Sequence, residues 1–483
     1  MNAPVRKLSL VVAALFASLL VSTTLIQYVF AADLNARPDN RRTLLSTFSR
    51  ERGEILVGQT AIARSVPVDD EYSFQREYPK ARLYAHVTGS YSFYGAVGGL
   101  EQAENALLSG ASDKLFYRRI SDLFTGRRAQ GANVETTLDP AVQDAASSAM
   151  KGIQGAAVAL DPKTGAILGM VSNPTYDPND LASHDLEEVN ANYTKLNEAD
   201  TRPMLNRSIN EVYPPGSVFK VVTAAAALST GDYTEDSMLP GPAVLDLPGT
   251  SADLPNHDDR ACGPNDEVTM TEALTVSCNT AFAQLGMDIG AEALQTQAAK
   301  FGFGDTVSVP MRVTPSSVPA ELNQPQLAQA SIGQYDVQAT PIQMAMVAAG
   351  IANDGVVMNP YLVQSVISSD LSVIESAKEQ ELSKAVTPEV AASLTRMMES
   401  VVENGTGRRA QIRGVAVAGK TGTAQHGEGR KAHAWFISFA PADDPEIAVA
   451  VIAEDGGIAG SEAGGGTVAA PIAKRIMQAR LDQ

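Results

Sequence analysis

The 483-residue chain has two cysteines, Cys262 and Cys278, and a single tryptophan, Trp435. So few cysteines exclude a disulfide-dense scaffold and a thiolate-cluster protein. Basic residues are also scarce. Lys plus Arg number 37 against 55 Asp plus Glu, a formal net charge of −18, and no basic run exceeds a pair. A nucleic-acid binder needs a basic face to neutralise phosphates, so that class is excluded. The acidic excess reads as a solvated surface and identifies no partner. The five histidines (His86, His184, His257, His426, His433) lack metal-ligand spacing, and no metal or other cofactor is implied. They read as surface or packing residues; His426, just beyond a Lys-Thr-Gly segment, is the one that could stand at a cleft edge. Apolar residues make up 44% and charged residues 19%. Those values lie near globular averages of about 45–50% and 25%, which excludes wholesale disorder. The length suits roughly two to four domains.

Charge is absent from Leu8 to Ala32, 25 residues behind Arg6-Lys7. At about 1.5 Å per residue such a helix spans a ~30 Å hydrocarbon core with some tilt. A cleaved signal has a shorter apolar centre, although Val29-Phe30-Ala31 could mimic a cleavage site. The length favours an uncleaved anchor, and the basic pair keeps the N-terminus in the cytoplasm. The organisation expected is a cytoplasmic tail over 1–7 and a transmembrane anchor over 8–32. A non-catalytic pedestal or dimerisation-like domain follows over 33–132, then a catalytic domain over 133–483 facing outward. Within 33–132, an Arg-rich linker (33–52), short strands at 53–65 and a helix at 115–124 are expected, and no chemistry is visible.

From 133 onward the pattern changes. Residues 134–138 read as a strand and 140–153 as a helix. Segments 156–160 and 166–171 are apolar strands joined by Asp161-Pro162-Lys163-Thr164-Gly165, a turn-forming cluster. Three more apolar strands begin at Val415, Ala434 and Ile447, with links short enough to force antiparallel neighbours. Helical patterns lie between the two sets (217–228, 280–300, 338–353, 388–403), and a last helix covers 468–481. The fold class is α/β: one antiparallel sheet of about five strands, its first and last segments paired around a helical insertion. Trp435 reads as sheet packing and 456–466 as a mobile loop near the cleft.

Three motifs carry chemistry. Tyr213-Pro214-Pro215-Gly216 is a strong turn, and an apolar helix starts behind it with Ser217 at its N-terminus and Lys220 one turn on. Side chains three residues apart share a helix face, about 5–6 Å apart. The helix end favours an alkoxide, and a buried lysine of lowered pKa can take the serine proton. Alone, this pair reads first as an N-cap serine followed by an ordinary surface lysine, because the spacing occurs by chance in most proteins. Ser277-Cys278-Asn279 places a hydroxyl and an amide at a helix junction. Lys420-Thr421-Gly422-Thr423 lies in an apolar strand whose alternation puts Thr421 and Thr423 on one face. That suits a substrate carboxylate and a pairing peptide, whereas the phosphate-loop reading fails because no helix follows.

In this order the three motifs resemble those of the class B penicillin-binding proteins, most closely their actinobacterial members. The flanks agree: Tyr213–Gly216, Ile332-Gly333-Gln334, Thr340-Pro341, Arg52-Gly53-Glu54-Ile55 and Gly99-Leu100-Glu101. Tyr335 departs, since many relatives carry glycine there, and is expected to affect a helix approach. The resemblance implies a penicillin-binding transpeptidase fold with a smaller mixed N-terminal domain and one transmembrane helix. It implies a membrane-anchored D,D-transpeptidase that cross-links peptidoglycan stem peptides ending in D-Ala-D-Ala and is acylated by β-lactams. Ser217 would be the nucleophile, Lys220 the base, Ser277 a proton relay and Asn279 a ligand of the substrate amide. Lys420, Thr421, Gly422 and Thr423 would bind substrate, with the Ser217 and Thr423 N–H groups as oxyanion hole. No glycosyltransferase-like domain fits in 33–132, whose partners would be division or elongation proteins. A β-lactamase would need a hydrolytic base and no anchor; a β-lactam receptor or a divisome scaffold would show little turnover. Finally, Cys262 and Cys278, 16 positions apart in an extracytoplasmic region, are expected to pair and to tether the loop beside Ser277 and Asn279.

Overall fold

The computed structural model describes residues 3–30, 48–115, 130–426, 430–457 and 464–483, together with Leu34 and Phe124. Of the expected linker over 33–52, helix over 115–124 and glycine-rich loop over 456–466, residues 33, 35–47, 116–123 and 458–463 lie outside the described residues.

The N-terminal helix Ala3–Thr24 continues through a wider turn, Leu25–Val29. Residues Pro4–Val29 form 26 helical residues, within which an 18-residue window has a mean hydropathy of 2.2 and is nowhere buried against the rest of the chain. A helix apolar all round with nothing covering it has the character of a membrane span.

The larger, C-terminal part of the chain is built on a five-stranded antiparallel sheet in the order Ala418–Ala424, His433–Ala440, Ile447–Ala453, Gly155–Leu160, Ile167–Asn173. Its strands are continuous apolar runs because both faces are covered. Ala156, Val158, Leu160, Ala450 and Ile452 face one apolar cluster, and Ala157, Ala159, Val449 and Val451 face another. The first contains helix Pro341–Ala352, buried from Pro341 to Ile351 and started by Thr340, whose hydroxyl accepts from Gln343 N–H. The second contains the last helix, Ala470–Leu481, and helix Pro140–Ala149. The insertion supplies helices Lys220–Thr230, Asn279–Ile289, Ala291–Lys300 and Pro388–Glu403. The expected helix over 280–300 is thus two helices, broken at Gly290, whose φ of +84° leaves the helical region. The strand expected from Val415 starts at Ala418.

The expected boundary at 132/133 cuts through a second sheet. Strand Asn133–Thr136 pairs in parallel with Ile55–Val57 and antiparallel with Val363–Ile367. The six-stranded order is Val373–Ser376, Val363–Ile367, Asn133–Thr136, Ile55–Val57, Thr60–Pro67, Phe74–Glu77. The N-terminal segment is therefore stitched to a hairpin from late in the insertion, a long-range pairing that local pattern does not display. Beneath it Glu101, fully buried, takes Arg52 Nε at 2.6 Å and Arg76 Nε at 2.7 Å. Burial alone would raise the Glu101 pKa, but the two guanidinium groups hold it below the usual carboxylate range. Arg52 and Glu101 lie in the two segments, Arg52–Ile55 and Gly99–Glu101, that carry the N-terminal part of the resemblance.

Candidate active site

The turn before Ser217 is gripped on three sides. Tyr213 and Ala339 exchange backbone hydrogen bonds of 3.0 and 2.9 Å. Trp435 Nε1 donates to Pro214 O at 3.0 Å, so the lone tryptophan, fully buried in the sheet, also holds this turn. Gly216 (φ +57°) donates to Gly333 O at 2.9 Å, and a Cβ on Gly333 would fall 2.2 Å from Gly216 O. Only glycine permits that approach and that backbone conformation. Ser217 follows, half-buried, in the tight turn Gly216–Phe219 that leads into helix Lys220–Thr230.

Lys220 is fully buried. Its Nζ donates to Ser277 O at 2.7 Å, Asn279 Oδ1 at 2.8 Å and Ser277 Oγ at 3.3 Å. Burial, reinforced by the charge of Lys420, pushes its pKa well below that of a free lysine. Ser277 itself has φ +63°, a strained conformation for a serine. Strain of this kind persists only where neighbours over-determine it, and three do. The Cys262–Cys278 disulfide (Cα–Cα 5.9 Å) fixes one side. Asn256 Oδ1 accepts from Asn279 N at 2.9 Å and Thr280 N at 3.1 Å, capping the following helix from outside its own chain segment. The two lysines fix the third, because Lys420 Nζ donates to Ser277 Oγ at 2.9 Å and to Thr421 O at 2.8 Å. Burial lowers the Lys420 pKa to about 7.

Gly422 lets the Ala418–Ala424 strand lie against the turn that carries Ser217. A Cβ there would stand 3.0 Å from Pro215 O, Val218 Cγ1 and Trp435 Cβ. Thr423 borders the same turn, its carbonyl 2.9 Å from where a Cβ on Gly216 would sit. Thr421 meets Thr406 hydroxyl to hydroxyl at 2.6 Å. Thus Lys220, Ser277, Asn279 and Lys420 converge directly, while Ser217, Gly422 and Thr423 adjoin them across the turn.

Sequence reading missed several supports. Asn256 and Thr406 carry no local signal. Glu454 accepts from Arg207 Nε and from Tyr213 Oη, both at 2.7 Å, and so ties the sheet end to the nucleophile turn. Burial would raise its pKa, but these hydrogen bonds and the Arg207 charge keep it lowered. Tyr335 has φ +47° and Asp336 +52°, a backbone conformation that favours glycine, and the Tyr335 side chain meets the helix Gln324–Ala330. Its hydroxyl accepts from Gln326 Nε2 at 2.5 Å. Gly464–Gly466 is not loop: Gly465–Ala469 forms a helical turn, and a Cβ on Gly465 would fall 2.1 Å from Trp435 O. Of the histidines, His86 is buried with its pKa lowered to about 4 by desolvation. His426 and His433, unremarkable by spacing, stack at 3.5 Å between ring centroids.

Comparison with known proteins agrees with this geometry. Residues 155–478 match the penicillin binding protein transpeptidase domain, and residues 52–134 match the penicillin binding protein A dimerisation domain. The chain is 45% identical to the peptidoglycan D,D-transpeptidase PbpA of Mycolicibacterium smegmatis, over 100% of this chain and 99% of that one. Identity to PbpA of Mycobacterium tuberculosis is 44%, with the same coverage. Among solved structures, the ceftriaxone acyl-enzyme complex of M. tuberculosis penicillin-binding protein A superposes with a TM-score of 0.88 at 43% identity, covering 91% of this chain and all of that one. The D,D-transpeptidase domain of a peptidoglycan glycosyltransferase from Eggerthella lenta gives 0.78 at 33% identity, covering 90% and 99%.

Proposed function

The chain belongs to the class B penicillin-binding proteins and is a serine D,D-transpeptidase of peptidoglycan; on that premise we propose how its own residues perform the reaction. The observation that carries the proposal is the sharing of one hydroxyl, Ser277 Oγ, by two buried lysines of lowered pKa. Two ammonium groups cannot both be accommodated cheaply in a buried site, so one lysine is held neutral. Burial lowers both, and the charge of Lys420 lowers Lys220 further, which makes Lys220 the base and leaves Lys420 as the cation.

Neutral Lys220 takes the proton of Ser217 Oγ as that oxygen bonds to the carbonyl carbon of the penultimate D-Ala. The carbonyl oxygen becomes an oxyanion held by the Ser217 and Thr423 N–H groups at the helix start. Collapse breaks the C–N bond. Ser277 passes a proton to the departing D-Ala nitrogen and is resupplied from Lys220. Asn279 hydrogen-bonds the substrate amide, and Lys420 with Thr421 and Thr423 receives the terminal carboxylate, with Gly422 providing the close approach. An acceptor amine then attacks the acyl-Ser217 ester, its proton following the reverse route, and a new amide cross-links two stems. β-Lactams enter as donors that acylate Ser217 and do not leave.

The remaining parts of the reading are organisational. Residues 1–7 form a cytoplasmic tail, 8–32 the single-pass anchor, 33–132 a pedestal or dimerisation module and 133–483 the extracytoplasmic transpeptidase unit. The uncharged run behind Arg6-Lys7 supports this topology. Division or elongation proteins would dock on the N-terminal module. The full-length protein in detergent, given a stem-peptide donor ending in D-Ala-D-Ala and an amine acceptor, should release D-Ala and form the amide product. Ser217→Ala should abolish both. Binding of labelled penicillin without any D-Ala release would point instead to a receptor or scaffold.

A further inference from the structure

Three strand ends meet beside the active-site sheet edge. His426 lies two residues past the Ala418–Ala424 strand, His433 opens the next strand opposite Ala424, and Asp455 lies two residues past Ile447–Ala453. One ligand atom from each falls within 4.8 Å of the others. His426 Nε2 and Asp455 Oδ1 are 2.8 Å apart, yet neither makes an aligned hydrogen bond and both are sealed from solvent. Two polar atoms that close and buried, in ion-pair contact but without an aligned hydrogen bond, leave part of their desolvation cost uncompensated, and a bridging group would remove it. The Asp455 backbone N–H donates to His433 Nδ1 at 3.2 Å, which selects the neutral tautomer with its lone pair on that nitrogen. Arg430 Nη2 holds the other Asp455 oxygen at 3.0 Å, orienting the carboxylate as an outer partner orients a metal ligand.

We propose that His426, His433 and Asp455 form a binding site for a divalent transition-metal cation of the zinc class, at the root of the hairpin that borders the cleft. Two imidazoles and a carboxylate are a donor set for such an ion, with a fourth position left for water. Ligands at about 2.0–2.1 Å on a tetrahedral ion stand about 3.3 Å apart, so loading widens the 2.8 Å contact by about half an ångström, replaces the 3.2 Å backbone bond and turns one ring out of the His426–His433 stack so that both lone pairs reach the ion. The ion would staple the paired strand ends at Ala424 and His433 to the end of the Ile447–Ala453 strand. Its neighbours are part of the reaction scaffold: the His433 ring meets Tyr213 edge-on at 5.4 Å, and Glu454 holds the Tyr213 hydroxyl. Occupancy therefore bears on the turn that presents Ser217.

The test uses full-length protein in detergent, stripped with a chelator and titrated with Zn²⁺ against a chromophoric competitor. The site predicts one Zn²⁺ per chain, with affinity reduced at least tenfold in His426→Ala and in Asp455→Asn. Both variants should keep their metal-free melting temperature within a few degrees. Co²⁺ should give a visible d–d spectrum in the wild type that both substitutions abolish. Absence of stoichiometric Zn²⁺, or binding unchanged by both substitutions, overturns the proposal. Since neither residue belongs to the acylation chemistry, penicillin labelling of metal-free protein separates failure of this site from failure of the transpeptidase reading.

Discussion

Lys420 donates to the Ser277 hydroxyl at 2.9 Å across 143 residues of sequence, and the strand that carries it and the helix junction that carries Ser277 are otherwise unrelated in the chain. The contact joins the sheet to the helical insertion at the point where substrate must bind. It also gives the pH behaviour a definite sign. Lys220 must be neutral to act, so acylation rises as pH passes its lowered pKa. Lys420 must be charged to hold a carboxylate, so acylation falls as pH passes about 7 in the free enzyme. The second-order rate of β-lactam acylation should trace a bell whose limbs belong to the coupled pair. Lys420→Arg, which does not titrate, should flatten the falling limb. A falling limb unchanged in that variant would remove Lys420 from the account.

Stability should respond in the opposite sense to activity. A lysine with a native pKa near 7 and an unfolded pKa near 10.5 binds more protons when unfolded, so its contribution to stability improves as pH rises through that window. Lys420→Met should abolish acylation yet raise stability by about 1–3 kcal/mol at pH 7, and the gain should shrink toward pH 10. Denaturant unfolding at both pH values checks this; a destabilised variant would mean that the hydrogen bonds to Ser277 and Thr421 outweigh the burial of charge.

Glu454 is the keystone of the nucleophile turn. Glu454→Gln leaves the Arg207 guanidinium, whose side chain is 0% exposed, without its counter-charge. Loss of one partner of a buried pair costs about 3–5 kcal/mol. Tyr213→Phe removes only one hydrogen bond, about 1 kcal/mol, and should slow acylation more than it lowers the melting temperature. Calorimetry together with penicillin labelling distinguishes the two variants.

Asn256→Ala should cost about 1–2 kcal/mol, the value of a helix cap, and should lower acylation by loosening Ser277 and Asn279. The disulfide acts on the same corner: removing a cross-link around a loop of this size costs ~3 kcal/mol in the chain-entropy model. Reduction of the wild type should therefore mimic Asn256→Ala in activity. Full acylation by the reduced protein would make the bridge irrelevant to the site.

What could be read from the sequence was whatever is local. The Ser217/Lys220 spacing, the Ser277–Asn279 junction and the Lys420–Thr423 strand each announce themselves within a few residues. The five-stranded sheet was legible because apolar strands with short links leave little choice of pairing. Contacts made across the chain were not legible. Asn256 caps a helix that starts 23 residues later, Glu454 reaches Arg207 over 247 residues, and Asn133–Thr136 pairs with strands from both ends of the domain order. The positive φ of Tyr335 was not legible because it is a backbone property that a non-glycine residue conceals. His426 and His433 looked unrelated because a hairpin, not a helix face, brings them together.

The central claim is that Ser217 is the acylated nucleophile. Full-length protein is incubated with a β-lactam, its intact mass is measured, and the adduct is mapped by peptide fragmentation. The account predicts one adduct per chain on the peptide containing Ser217, absent from Ser217→Ala and strongly slowed in Lys220→Ala with the fold intact. An adduct on any other peptide, or undiminished labelling of Ser217→Ala, would contradict it.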